Sequence, residues 1–137
     1  MIIDATDLIM GRMASFAAKQ ALRGENVDVI NSEKAVITGS WDDVFAHYKQ
    51  RRDRGHPYSG PFFQRREDRF LKKVIVGMLP HKNEKGRLAA KRVKCYISNP
   101  KNIQGKPVQL NNISINSTKN FKYTTLQKLC RSLGKKE

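Results

Sequence analysis

The chain has 137 residues, 39% of them hydrophobic, and a mean hydropathy of −0.62. This length is sufficient for one domain with a hydrophobic core. The net charge is +15, with 27 Lys and Arg against 12 Asp and Glu, and the pI is about 10.2. A charge of this size indicates polyanionic partners, nucleic acid above all.

The composition argues against membrane and secreted proteins. No apolar run approaches the roughly 20 residues that span a bilayer, and the N-terminus lacks the apolar segment of a signal peptide. Cys95 and Cys130 form no CxxC pair, so we expect reduced thiols inside a cell. We therefore expect a soluble, cytoplasmic protein.

The first 39 residues alternate between strand and helix patterns. Residues 1–4, 27–31 and 35–39 are short apolar segments typical of strands. Residues 11–23 have helical periodicity that ends at Gly24. This order predicts a right-handed βαβ unit with parallel strands.

A second helix is predicted from Ser40 to about Arg54. Ser40 and Asp43 have the spacing of a capping box, and aromatic and aliphatic side chains follow at helical intervals. We interpret Trp41 as a core residue and not as a platform on which bases stack.

Residues 55–64 form a loop with two glycines and two prolines. Its aromatic residues Tyr58, Phe62 and Phe63 have two interpretations. They either anchor the loop on the core, which we favour, or stack on unpaired RNA bases.

The centre of the chain is a helix with one apolar stripe and one basic face. Gly77 and Pro80 end the helix, because glycine suits a C-cap and proline cannot continue the hydrogen-bond ladder. A basic turn follows, up to Gly86. The stripe consists of Phe70, Leu71, Val74, Ile75 and Met78.

The next segments predict a short helix over residues 86–92 and a strand over 93–97, with Cys95 in the core. The polar segment 101–120 has little periodicity, and we expect an extended path. The aliphatic side chains that would pin it to the surface are Val108, Leu110, Ile113 and Ile115.

The chain ends in a predicted amphipathic helix. Thr124 and Gln127 have capping-box spacing, and Gly134 stops the helix. Residues 135–137 are expected to fray. The apolar face consists of Leu126, Leu129, Cys130 and Leu133.

The positive charge is concentrated in the last two thirds of the chain. Residues 1–48 contain 4 Lys and Arg against 7 Asp and Glu, residues 49–92 contain 14 against 4, and residues 93–137 contain 9 against 1. The first segment is therefore interpreted as scaffold, and the rest of the chain as the part that carries the binding surface. The predicted RNA-binding residues are Arg51, Arg52, Arg54, Arg65, Arg66, Arg69, Lys72, Lys73, His81, Lys82, Lys85, Arg87, Lys91 and Arg92.

Three blocks of sequence resemble the L13 (uL13) family of large-subunit ribosomal proteins. The most specific block is Gly77-Met78-Leu79-Pro80 with the Gly86-Arg87 pair that follows it. One departure is Glu67, where members often place proline; an acidic residue also suits a helix N-terminus. The other matching segments are residues 3–6 with 11–14, residues 29–34 with 36–39, and residues 93–97.

The resemblance implies an α/β fold with three α/β/α layers on a four-stranded, mainly parallel sheet. It also implies a structural, rRNA-binding constituent of the large ribosomal subunit, closest to archaeal members. We expect one domain over 1–137: a core over 1–100 with a basic insertion at 49–92, then an extended segment and helix over 101–137. The expected partners are large-subunit rRNA and neighbouring ribosomal proteins, with no membrane, small-molecule substrate, cofactor or metal.

Two other functions were weighed. An enzyme could use His47, His56 or His81, or a metal held by Asp4 and Asp7. However, the sequence has no HExxH, P-loop, GxGxxG or nucleophile elbow, and Asp4 and Asp7 suit turn or capping roles. We therefore expect no enzymatic activity. The remaining alternative is an RNA-binding regulator of translation that acts outside the ribosome.

Overall fold

The computed structural model describes residues 1–119 and 122–135. Within these residues, no helix has the length and apolar content needed to cross a bilayer. Three 3-10 turns, at Ser32–Lys34, Asn111–Ile113 and Ile115–Ser117, accompany the regular elements. In chain order these elements are β1 (Ile2–Asp4), α1 (Met10–Leu22), β2 (Val27–Ile30), β3 (Val36–Thr38), α2 (Trp41–Asp53), α3 (Glu67–Gly77), α4 (Glu84–Arg92), β4 (Val93–Cys95), β5 (Tyr123–Thr125) and α5 (Leu126–Ser132).

The main sheet contains three parallel strands in the order β1-β2-β4. Ile3 lies opposite Val29, and Val29 lies opposite Cys95. The predicted parallel pairing of the first two strands around α1 is confirmed. The alternating burial of β1 and β2 places Ile3 and Val29 in the core.

The prediction of a four-stranded sheet was wrong. β3 leaves the main sheet and pairs antiparallel with β5, with Val36 opposite Thr125. Only residues 31–35 separate β2 from β3, whereas a parallel neighbour needs a crossover of about a dozen residues or more. The chain instead turns away at Asn31, whose φ is 55°.

The core is built mainly on α1, α3 and α5. α1 buries Met13, Ala17 and Ala21 on one side, which agrees with the helical periodicity predicted for residues 11–23. It contacts both α3 and α4. The final helix buries its whole predicted apolar face in the same hydrophobic cluster.

α2 begins as predicted, and Trp41 packs against the edge of the core without being fully buried. The Ser40 hydroxyl accepts a hydrogen bond from the Asp43 amide and donates one to its carboxylate. Trp41 is only half-buried and stacks on Phe45 with 5.3 Å between ring centroids. The Lys128 ammonium covers its ring at 4.5 Å from the centroid.

Two predicted boundaries moved by one or two residues. α4 begins at Glu84, so Gly86 lies inside its first turn. The cap of α5 is Thr125, whose hydroxyl accepts from the Lys128 amide; Thr124 is buried in β5. At the end of β4, Tyr96 still donates its amide to the Val29 carbonyl at 2.8 Å.

The segment after Pro100 is less extended than expected, because it contains two of the 3-10 turns. Of its four predicted anchors, only Ile115 is buried, against Ile9 and Val36. Val108 remains 38% exposed, although its amide donates to the Ile2 carbonyl at the edge of the main sheet. Residues 120 and 121 lie outside the described residues.

The expected fraying of the C-terminus was wrong for Lys135. Its ammonium lies 2.9 Å from the carboxylate of Glu67. The expectation for residues 136 and 137 falls outside the described residues.

Candidate nucleic-acid interface

Helix α3 separates a core face from a basic face. Phe70, Leu71 and Ile75 are buried, whereas Arg69 and Lys73 on the opposite side are exposed. The prediction that Met78 packs with the stripe was wrong, since Met78 is 45% exposed. The helix has ended at Gly77, and the next residue along, Leu79, enters the core instead.

Eleven of the fourteen predicted RNA-binding residues are exposed. The remaining three are half-buried: Arg52, Lys72 and Arg92. Arg52 donates to the Leu133 carbonyl at 3.2 Å, and Arg92 donates to the Ala21 carbonyl at 3.3 Å. These two arginines therefore hold helices together within the fold.

Two of the exposed arginines also make contacts within the chain. Arg66 forms a 3.0 Å ion pair with Asp68. Arg65 donates to the Gly134 carbonyl at 3.4 Å. Both remain open to solvent, where such contacts are weak and exchange readily with a phosphate.

The basic turn after α3 is shaped by a close backbone contact. A Cβ atom on Gly86 would lie 2.0 Å from the carbonyl oxygen of Pro80, so only glycine fits there. The Pro80 carbonyl also accepts the Asn83 amide at 3.0 Å. The predicted RNA-binding residues of the turn and of the start of α4 all lie on the surface: His81, Lys82, Lys85 and Arg87.

One aromatic residue of the loop over 55–64 anchors it on the core, as favoured from the sequence, and two others stay exposed. His56 and Gly60 exchange two backbone hydrogen bonds of 3.1 and 2.9 Å, which close the loop. Phe63 anchors it, with ring centroids 5.7 Å from Phe70. Tyr58 and Phe62 remain 93% and 65% exposed.

These elements enclose what we call the aromatic groove, with a volume of about 740 Å³. It lies between α2, the 55–64 loop and α3. Four of the predicted RNA-binding residues line it: Arg51, Arg54, Lys73 and His81. Its other lining residues are Met10, Tyr48, Pro61, Phe62, Phe63, Gln64, Phe70, Val74, Val76, Gly77 and Met78.

Of the groups considered for catalysis, Asp4 has structural surroundings, and the others are exposed: Asp7, His47, His56 and His81. Asp4 Oδ1 accepts hydrogen bonds from the Thr6 amide, the Thr6 hydroxyl and Asn31 Nδ2, at 3.0, 2.7 and 2.9 Å. Partial burial raises the pKa of Asp4, but the hydrogen bonds from Asn31 and Thr6 outweigh it, so its pKa is lowered. This confirms a turn role for Asp4, which also ties β1 to the end of β2.

The two thiols are poor nucleophiles. The pKa values of Cys95 and Cys130 are raised to about 12, and burial of the thiols is the largest cause. For Cys130 the nearby Glu67 carboxylate adds to the effect. Since the thiolate is the reactive form, neither side chain suits nucleophilic catalysis at neutral pH.

Sequence reasoning missed the role of Glu67. Its side chain is fully buried at the first turn of α3 and is paired with Lys135. Lys135 lies 68 positions away along the chain, and no local pattern links the two. An acidic residue at a helix start was the only available signal.

Comparison with known proteins agrees with the resemblance drawn from the sequence. The family model for ribosomal protein L13 matches residues 1–102. The large ribosomal subunit protein uL13 of Haloarcula marismortui is 42% identical over 98% of this chain and 90% of its own length. The uL13 proteins of Methanococcoides burtonii and Archaeoglobus fulgidus are 41% and 40% identical, over 98% and 97% of this chain and 98% and 86% of their own lengths.

These relatives cover nearly the whole chain at well above 30% identity. The family is one of ribosomal structural proteins, in agreement with the expectation of no enzymatic activity. The chain belongs to the ribosomal protein L13 family.

Proposed function

We propose that this chain is a structural constituent of the large ribosomal subunit that binds rRNA through the basic surface of segment 49–92. The observation that carries the proposal is the exposure of eleven of the fourteen predicted binding residues around α3 and its following turn. The family membership and the names of the relatives support the ribosomal setting.

The physical reason is the phosphate backbone of RNA. Each phosphate that a Lys or Arg neutralises releases counterions and steepens the salt dependence of binding by about 0.7–0.9 log units. Folded RNA is recognised largely through its shape, its phosphates and its 2′-hydroxyls. A broad surface of exposed cations suits that mode of recognition.

The proposed partners are large-subunit rRNA and neighbouring ribosomal proteins, in the cytoplasm. The relatives are named as large ribosomal subunit proteins, and the proposal extends that setting to this chain. The extra-ribosomal alternative has no observation in its favour in the described residues.

The domain organisation is part of the same proposal. We propose that residues 1–137 form one domain, since Ile3 of the first strand and Leu133 after the last helix belong to one hydrophobic cluster. The three-layer α/β/α arrangement stays a prediction.

The test is charge reversal on the exposed face of α3. The variant Arg69→Glu with Lys73→Glu changes two exposed side chains and should leave the unfolding free energy within about 0.5 kcal/mol of the original chain. We expect the variant to be lost from large subunits on sucrose gradients. The matched control, Lys19→Glu with Lys34→Glu, makes the same charge change at exposed sites of the acidic first segment and should still enter subunits.

Equal incorporation of both variants would show that α3 does not bind rRNA. Equal loss of both would show that net charge, and not the surface of 49–92, decides incorporation. Either result overturns the proposal.

A further inference from the structure

We propose that the aromatic groove holds one unpaired RNA base, with its flanking phosphates on the basic rim of the groove. The inference rests on the proposed rRNA binding and deepens it. It names the chemical form of RNA that this part of the surface recognises: a bulged or looped-out nucleotide and not a continuous duplex.

The first argument is the size and rigidity of the groove. Its volume of about 740 Å³ lies within the range of about 300–1,000 Å³ that is typical of small-ligand sites. Its floor is an interlocked ring cluster, in which Tyr48 lies 5.3 Å from Phe70 and 6.4 Å from Phe63 between centroids. Because these rings are fixed by one another, the floor is preformed.

The second argument is an aromatic side chain that packing leaves open. Phe62 lines the groove while 65% exposed, and it belongs to none of the ring pairs found among the described residues. Its ring folds over Gly60, where an added Cβ atom would approach a ring carbon to 3.2 Å. Phe62 is therefore positioned, yet keeps a face on which a base can stack.

The charge of the lining residues indicates which kind of ligand the groove accepts. Arg51, Arg54 and Lys73 line the groove together with His81, and no carboxylate of the described residues does. An apolar peptide would cover these cations without giving them a partner, which costs free energy. A nucleotide matches both the aromatic floor and the basic rim of the groove, because its base is neutral and aromatic and its phosphates are anionic.

The fourth argument concerns the state of the RNA. Bases inside an A-form helix are stacked and paired, and the deep major groove of that helix excludes side chains. Only an unpaired base can leave the stack and enter the aromatic groove. Gln64, which also lines the groove, supplies an amide donor and acceptor for the edge of the base.

The experiment measures binding of the full chain to two RNA hairpins by fluorescence anisotropy. The hairpins are identical except that one carries a single unpaired nucleotide in its stem. The test variant is Phe62→Ala, and the matched control is Tyr58→Ala, which removes an even more exposed ring from the same loop but outside the groove.

We expect the original chain and the Tyr58→Ala control to prefer the bulged hairpin. Phe62→Ala should weaken binding to the bulged hairpin by roughly 5- to 150-fold, which corresponds to the loss of one base–aromatic stack. Its affinity for the continuous hairpin should not change, since the cations of the rim remain.

The groove proposal is overturned if the original chain binds both hairpins equally, or if Phe62→Ala leaves binding to both unchanged. The second outcome is the one expected if a protein segment occupies the groove. If the chain binds neither hairpin even at low salt, the proposed rRNA binding fails as well, so the two failures are distinguishable.

Discussion

The ion pair between Glu67 and Lys135 is predicted to hold the end of the chain on α3. The Glu67 side chain has no solvent exposure, and that of Lys135 is 21% exposed. Lys135 Nζ lies 2.9 Å from both carboxylate oxygens. Only Oε1 accepts a hydrogen bond, and Oε2 has no hydrogen-bond donor among the described residues. The carboxylate therefore depends on Lys135 alone.

Lys135→Met removes that partner and leaves a buried carboxylate unpaired. Breaking a buried pair in this way costs about 3–5 kcal/mol. Because Lys135 is partly exposed and water can reach the site, we expect the lower end, about 3 kcal/mol. For a chain of this length, that cost corresponds to a fall in melting temperature of about 10 °C.

Thermal unfolding followed by circular dichroism measures this effect. Glu67→Gln should cost less than Lys135→Met, since the side chain left unpaired is then the partly exposed ammonium. The double variant should be more stable than Lys135→Met alone, which gives a favourable coupling energy. Lys19→Met, at an exposed site on α1, is the control and should melt with the original chain. A Lys135→Met chain that melts within about 2 °C of the original would refute the reasoning.

Three further predictions follow from single contacts. Gly86→Ala should destabilise the fold by about 1–3 kcal/mol or more, because the added Cβ overlaps the Pro80 carbonyl. In Gly11→Ala of α1 the added Cβ meets no atom within 4 Å, so this variant should be more stable by up to about 1 kcal/mol. Urea unfolding measures both effects, and equal effects would contradict the steric explanation. Both thiols should resist a thiol reagent at pH 8 in the native protein and react in denaturant, since their pKa values are raised to about 12; rapid native labelling would contradict this. The pKa of Asp4 is lowered, so its carboxylate stabilises the fold above the ordinary pKa of 3.8, and this contribution is lost as the pH falls through and below that value. Asp4→Asn should therefore lose less unfolding free energy at pH 3 than at pH 7. An equal loss at both pH values would contradict this role of the carboxylate.

The helices were predictable because their apolar residues recur with the helical period. α1 and α2 were found within a residue or two, and α3 ends at Gly77 as predicted, although its periodic apolar pattern continued to the exposed Met78. The pairing partner of β3 was not predictable, since β5 lies more than 80 residues further along the chain. The connection between β2 and β3 is, however, too short for a parallel crossover, and this could have been seen in the sequence.

The cations of the candidate interface were visible in the charge distribution, but their separate tasks were not. Arg52 and Arg92 have the same local sequence features as their neighbours, and only the tertiary structure shows that they donate to backbone carbonyls. The aromatic groove likewise depends on three segments that meet in space. The exposure of Phe62 beside the buried anchor Phe63 could not be read from adjacent positions of one loop.

The most direct test of the account is sedimentation of large subunits after washes at low and high salt, with this chain detected in each fraction. If the chain is a built-in constituent of the assembled subunit, it remains with the large subunit at a stoichiometric level after the high-salt wash. A chain found free in the lysate, or released by modest salt, would contradict a structural role in the subunit.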